Sequence, residues 1–371
     1  MFKADSVYST KLHRFDWPLF ATTIALCIIG LLNLYSATYA GQFKSCFANQ
    51  LYTSILGIAV VFVMAFVPAR YIERMSYPAL AILAVMLFAV LVGAPAIHGS
   101  KRWLVLGGIR LQPSEFGKLA LILALAKYFA DHPAPKGYGL RELAAPAMFT
   151  LACVGLIVVE PDLGTAGLYL LLFASLALIT GVRKKLLVAA AIAALVALPL
   201  AWKYGLKEYQ KERILTLIAP ERDPLGAGYH VRQSVIAVGS GKIFGKHYLK
   251  GTQTKLQFLP EHHTDFVFSV WAEEWGFAGS VAVLLLFSYL IYRLLALARV
   301  AQDRFQRLAL AGIGMYFFFQ TAINIAMVLG IFPVVGITLP FFSYGRSSLV
   351  TSFAAIGLAI NFASKRYLFE G

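Results

Sequence analysis

Ten apolar stretches, each near 20 residues long, constrain this chain more than any other feature: 17–38, 51–69, 76–97, 113–130, 142–160, 163–181, 185–202, 266–292, 308–330 and 341–363. At a helical rise of about 1.5 Å per residue, a stretch of that length matches the hydrocarbon core of a bilayer. Hydrophobic residues make up 59% of the 371 and charged residues 14%, against about 45–50% and about 25% in an ordinary soluble domain. A water-soluble core of this size cannot absorb that excess. The pattern predicts an all-α, polytopic integral membrane protein with ten transmembrane helices, and excludes soluble, fibrous, disordered and disulfide-stapled classes. The first stretch exceeds the apolar region of a signal peptide and is read as an uncleaved span.

In such a protein a net charge of +15 is evidence of topology before it is a nucleic-acid footprint. With the N-terminus placed inside, sixteen Lys and Arg fall on the inner tails and short loops, and four (Lys44, Lys101, Arg102 and Arg110) on the short outer ones. Both termini are therefore expected in the cytoplasm. The chain reads as one membrane domain, 1–371, with a long extracytoplasmic loop at about 203–264 between the seventh and eighth spans. That loop carries ten Lys/Arg, five Asp/Glu and a moderately apolar core, Tyr229 to Phe244, suited to lying on the membrane surface or re-entering it.

Several familiar chemistries fail on spacing. Gly239, Gly241 and Gly245 beside Lys242 and Lys246 do not fit a phosphate loop, because five residues separate Gly239 from Gly245 and His247 follows the lysine. The adjacent pair His262–His263 cannot face one side of a helix, and Cys27, Cys46 and Cys153 have neither disulfide nor zinc spacing.

Ionisable residues inside spans are better guides, since each is costly in hydrocarbon and tends to face an interior cavity. Glu115 and Lys118 are three apart on one helical face. They form either a structural ion pair or the lining of a polar cavity, with Gln112 and Ser114 at its mouth; Lys127 is expected to snorkel inward. The stretch LPEHHTDF (259–266) places Glu261, His262, His263, Thr264 and Asp265 at the outer boundary of the eighth span. There Thr264 is suited to capping the helix and Asp265 to its first turn. Asp265 is then either a carboxylate favoured by the helix dipole or a general base at a water-accessible boundary.

Glu273 and Glu274 follow eight and nine residues later, about 12–14 Å along the axis, too far to pair with Asp265. A reaction here has one carboxylate to work with. That suits a leaving group needing no proton, such as a pyrophosphate neutralised by basic residues or a metal ion. Lys101, Arg102, Arg110, Arg213 and Arg232 are the basic candidates.

The run PLGAGYHVRQSVIAVGSGKIFGKHYLKGTQTKLQFLPEHHTDFVFSVWAEEWG (224–276), with KRWLVLG (101–107), LQPSEFGKLA (111–120), EPDLGTA (160–166) and FPVVGITLPFFSYG (332–345), closely resembles the shape, elongation, division and sporulation family of peptidoglycan glycosyltransferases. GAGYH, GTQ and the Leu-Pro-Glu-x-His-Thr-Asp-Phe arrangement resemble its rod-shape branch rather than its division branch. The resemblance implies a ten-helix polymerase that joins lipid II into β-1,4 glycan strands during cell elongation. It would lie in the bacterial cytoplasmic (inner) membrane with its active site facing outward. Asp265 would be the general base, and undecaprenyl pyrophosphate would leave with inversion. Glu115 and Lys118 match the family's fourth-helix Ser-Glu-x-x-Lys pattern, and Arg102, Asp162, Glu261, His263 and Ser343 lie in matching motifs as substrate-binding candidates.

By the same likeness the partners are a class B penicillin-binding protein, a transpeptidase, and other elongation-complex membrane proteins. No nucleic acid is expected. A divalent cation, Mg or Mn, stays open, and no metal ligand is assigned. Two positions depart from the family: Arg346, where a second glycine is usual after Tyr344-Gly345, and His247, where a glycine commonly follows the lysine. The alternative reading is a flippase for a lipid-linked oligosaccharide, with the Glu115/Lys118 cavity as its path; a non-catalytic scaffold has no need of a boundary carboxylate.

Overall fold

The computed structural model describes residues 15–39, 44–93, 102–106, 109–205, 208–218, 227–252 and 263–364. Helix α1 (Trp17–Thr38) begins where the Asp16 carboxylate accepts the Leu19 N–H at 3.0 Å, with Pro18 in its first turn. Next come α2 (Lys44–Phe66), α3 (Ala69–Gly93) and an antiparallel hairpin of β1 (Leu104–Leu106) and β2 (Ile109–Leu111). The hairpin runs into α4 (Pro113–Asp131), followed by α5 (Leu140–Val159), α6 (Leu163–Thr180) and α7 (Lys184–Leu200), which ends in a π turn at Ala201–Gly205. The long loop contributes α8 (Glu208–Ile218) and α9 (Ala227–Ser240), and the chain closes with α10 (Val267–Val300), α11 (Arg304–Val328) and α12 (Arg346–Ala363).

Each expected span thus contains one helix. Among the described residues eight helices are long and apolar enough to cross a membrane. The two expected spans outside that set are α4, which carries Glu115, Lys118, Lys127 and Asp131, and α7, which has 17 residues before the π turn. The two differ in surroundings. Along α4 most side chains are buried against α3, α6, α11 and α12, so Glu115 and Lys118 face protein rather than lipid. On α7 the side chains stand out, with Val188 60% and Leu195 70% exposed.

Connections assigned to one side by charge gather at one end of the bundle. Arg293 forks onto Asp16 at 2.8 Å, Lys127 lies 3.7 Å from Glu73, and Arg304 donates to the Tyr138 hydroxyl at 3.1 Å. Asn361 near the end of α12 donates to the carbonyls of Met64 and Ala65 at the end of α2. Helix α2 lies close along α12 because glycines alternate between them: Gly57 sits under the Phe353 ring and Gly357 against the Val61 carbonyl.

At the other end the long loop docks onto α10. Ser234 of α9 bonds to the Ser269 hydroxyl at 2.7 Å and to the Val328 carbonyl at 2.6 Å. Residues 242–247 then pair with a break in α10 at Gly276 (φ 66°): Phe277 N–H donates to Lys242 O, Ala278 N–H to Ile243 O, Lys246 N–H to Glu273 O and His247 N–H to Glu274 O. Only glycine accepts that backbone shape without strain, and here it faces Gly245 at close range. The apolar segment expected near Tyr229–Phe244 is therefore a helix and turn packed on α10, with Ile243 and Phe244 exposed at its tip.

Candidate active site

Helix α10 does not begin where the pattern predicts. Its N-cap is Phe266, with no side-chain cap, and residues 263–266 form a turn, so Thr264 does not cap and Asp265 precedes the first helical turn. The reason lies in three successive carbonyls. His263 O accepts from Tyr344 N–H at 2.9 Å, Thr264 O from the Ser343 hydroxyl at 2.6 Å and Asp265 O from the Asn324 amide at 3.0 Å. Carbonyls pulled toward α11 and the 332–345 segment cannot serve a helical ladder, so the helix waits until Val267. The price of losing one helical turn is a rigid seat for one carboxylate.

Asp265 is half-buried, and its Oδ2 stands 3.8 Å from the point where a Cβ on Gly336 would lie. Gly336 has φ 75°. Ser343 is buried and doubly engaged, since its hydroxyl also accepts from Leu339 N–H at 2.8 Å. His263 is buried with its ring centroid 6.0 Å from that of Tyr344. These two candidates shape the seat of Asp265. Glu261 and Lys101 lie outside the described residues, as does the side chain of Arg213.

Arg102 and Asp162 come together as a second group. The guanidinium donates to the carbonyls of Glu160 (3.2 Å) and Pro161 and lies 4.0 Å from the Asp162 carboxylate, which in turn caps α6 by accepting from Thr165 N–H at 3.2 Å. Gly164, two residues on, packs against the Val335 carbonyl, next to the Gly336 that faces Asp265. The segment 332–345 therefore joins both groups.

Glu115 and Lys118 form a third group: a buried ion pair of 2.6 Å, with the ammonium 5.8 Å from the Tyr316 ring centroid. Its helix start is tied to α12 by a bond from Gln112 N–H to the Ser347 hydroxyl at 3.0 Å, and Tyr169 donates to Ser114 O at 2.9 Å. Glu273 and Glu274 turn elsewhere, as their separation implied. Glu273 accepts from Lys246 and from the Thr252 N–H, both at 2.8 Å, and Glu274 from Ser36 at 2.5 Å. Cys27, Cys46 and Cys153 are free thiols.

Sequence reasoning passed over Asn324 and Gln320, although two amides four residues apart in an apolar span were legible as an inward polar face. It also passed over Glu160, which is buried with neither carboxylate oxygen hydrogen-bonded among the described residues. No group of three or more His, Cys, Asp or Glu among the described residues has the arrangement of a metal cage.

The profile of the FTSW_RODA_SPOVE family, described as cell cycle proteins, matches residues 17–368. The chain belongs to that family. Its FtsW/RodA/SpoVE relatives include the peptidoglycan glycosyltransferase MrdB of Escherichia coli K12, 36% identical over 96% of this chain and 95% of that one. The peptidoglycan glycosyltransferase RodA of Treponema pallidum is 29% identical over 95% and 98%. Among solved structures of the fold, a chain from a peptidoglycan synthase complex that coordinates polymerization and crosslinking superimposes with a TM-score of 0.83 at 35% identity, covering 95% of this chain and 99% of that one. The rod shape determining protein RodA of Thermus thermophilus gives 0.71 at 34% identity, over 95% and 98%.

Proposed function

We propose that this protein is a peptidoglycan glycosyltransferase of the rod-shape type that polymerises lipid II with Asp265 as general base. The observation that carries the reading is the anchoring of three successive carbonyls, 263 to 265, which fixes one half-buried carboxylate over the open backbone of Gly336. Asp265 takes the proton from the acceptor sugar's 4-hydroxyl as that oxygen bonds to the donor's anomeric carbon. The bond from that carbon to the pyrophosphate breaks, and its electron pair leaves with undecaprenyl pyrophosphate. One displacement inverts an α-linked donor to a β-1,4 bond, and one base suffices because the leaving group needs no acid. Preorganisation of the base is what the fold supplies.

The names of the relatives support the reaction, and the synthase complex supports a transpeptidase partner that crosslinks the product. The ten apolar stretches support ten spans, and the charge asymmetry of the short loops supports cytoplasmic termini and an outward site.

The test is gel-resolved glycan synthesis from labelled lipid II by the purified protein with its transpeptidase partner, beside Asp265→Asn and Asp265→Ala. Long glycans from the parent and none from folded variants are expected. Equal product from parent and variants would remove Asp265 from the chemistry; translocation of lipid II with no bond formed would favour the flippase.

A further inference from the structure

Just beyond the residues that hold the Asp265 turn, the sequence places a cation. Tyr344 and Ser343 hold the carbonyls of His263 and Thr264, and two residues beyond Tyr344 stands Arg346, the first residue of α12. Its side chain is half-buried, and it forms no hydrogen bond or ion pair with any described residue. Among the described residues the Tyr344 phenol is an electrostatic neighbour, and no carboxylate pairs with the guanidinium. The other basic candidates are placed differently. Arg102 is spent on two carbonyls and Asp162, while Arg110 and Arg232 are exposed.

A half-buried guanidinium with no ion-pair partner among the described residues, at a membrane boundary, is satisfied by an anion, and the surroundings fit one rich in oxygen. The first-turn N–H groups of α12, at Ser347 and Ser348, have no partner within the helix and add the positive end of its dipole. Behind them the fully buried Gln320 directs its amide to Ser348 Oγ (3.4 Å) and Thr338 Oγ1 (3.3 Å), which holds the first turn of α12 in place.

We propose that Arg346 binds the pyrophosphate of a polyprenyl-linked donor and neutralises the charge it gains on leaving. This rests on the glycosyltransferase reading. As the anomeric carbon–oxygen bond breaks, its electron pair moves onto the pyrophosphate oxygen facing Arg346, and the acceptor proton moves to Asp265; nothing else is consumed.

The experiment compares the full-length parent with Arg346→Gln and Arg346→Lys, each first shown to unfold at the parental temperature. Binding of undecaprenyl pyrophosphate and of undecaprenol is measured by native mass spectrometry, and glycan synthesis in parallel. Loss of a charged hydrogen bond should weaken pyrophosphate binding by roughly 10–100-fold in Arg346→Gln, leave undecaprenol unchanged and be largely restored in Arg346→Lys. Unchanged pyrophosphate binding in Arg346→Gln, or an equal loss for both lipids, overturns the proposal. Glycan synthesis with unaltered binding would sink Arg346 alone. Arg346-dependent binding in a parent that makes no glycan would sink the polymerase reading and keep the anion site.

Discussion

Asn324 donates one amide hydrogen to the Asp265 carbonyl at 3.0 Å and the other to the Ile337 carbonyl at 2.7 Å, so a single side chain ties together the two segments that face each other across the site. Both acceptors are backbone, which leaves no freedom to flip the amide.

Removing that tie should therefore act on the base without touching it. Asn324→Leu is expected to lower the turnover of glycan synthesis by about 10-fold or more, with a smaller effect on the lipid II concentration needed for half-maximal rate. Asn324→Asp should be worse than Asn324→Leu, because a carboxylate would face two carbonyl oxygens. Equal activity of parent and both variants, measured by initial-rate assays, would mean that the Asp265 turn is held by Ser343 and Tyr344 alone.

Gly336 should tolerate no side chain, for a conformational reason more than a spatial one. A Cβ there meets Asp265 Oδ2 only at ordinary contact distance, 3.8 Å, but φ is 75°. The left-handed backbone costs a residue with a Cβ about 1–2 kcal/mol. Relieving it would turn the chain away from Asn324. Gly336→Ala is expected to lower activity more than thermal stability; a full-activity variant would show that the segment has room to adjust.

The Glu115–Lys118 pair is buried at both ends, so cutting one partner strands the other. Lys118→Met alone should destabilise by about 3–5 kcal/mol. Glu115→Gln with Lys118→Met should recover most of that stability. Unfolding midpoints in detergent measure this. Lipid II polymerisation by the double variant then separates roles: retained activity means that the pair orders α4, and lost activity in a stable protein means that it meets substrate.

His247 has φ 74°, a conformation that suits glycine. Its N–H is fixed on the Glu274 carbonyl, so the turn cannot relax. His247→Gly should raise the stability of the folded protein by about 1 kcal/mol or slightly less, the strain relieved minus the entropy of a freer unfolded chain. A lowered unfolding temperature would instead assign the imidazole a contact worth more than the strain.

Much of this protein was legible without coordinates. Hydropathy is a local property, so ten helices fall where the apolar stretches lie, and the separation of Glu273 and Glu274 from Asp265 follows from helix rise alone. The ion pair of Glu115 and Lys118 follows from their spacing of three. What the sequence by itself could not determine is how the carbonyls before α10 are used, because their donors lie 59 to 81 residues away. Local pattern favoured a helix starting with a capped turn at Thr264; bonds from Ser343, Tyr344 and Asn324 outcompete it and leave Asp265 in a rigid turn. The same holds for Ser343 and Arg102, which read as substrate-binding candidates and are bound to backbone, and for Arg346, which has no ion-pair partner among the described residues and whose place near the Asp265 turn emerges only when α12 is packed against the bundle.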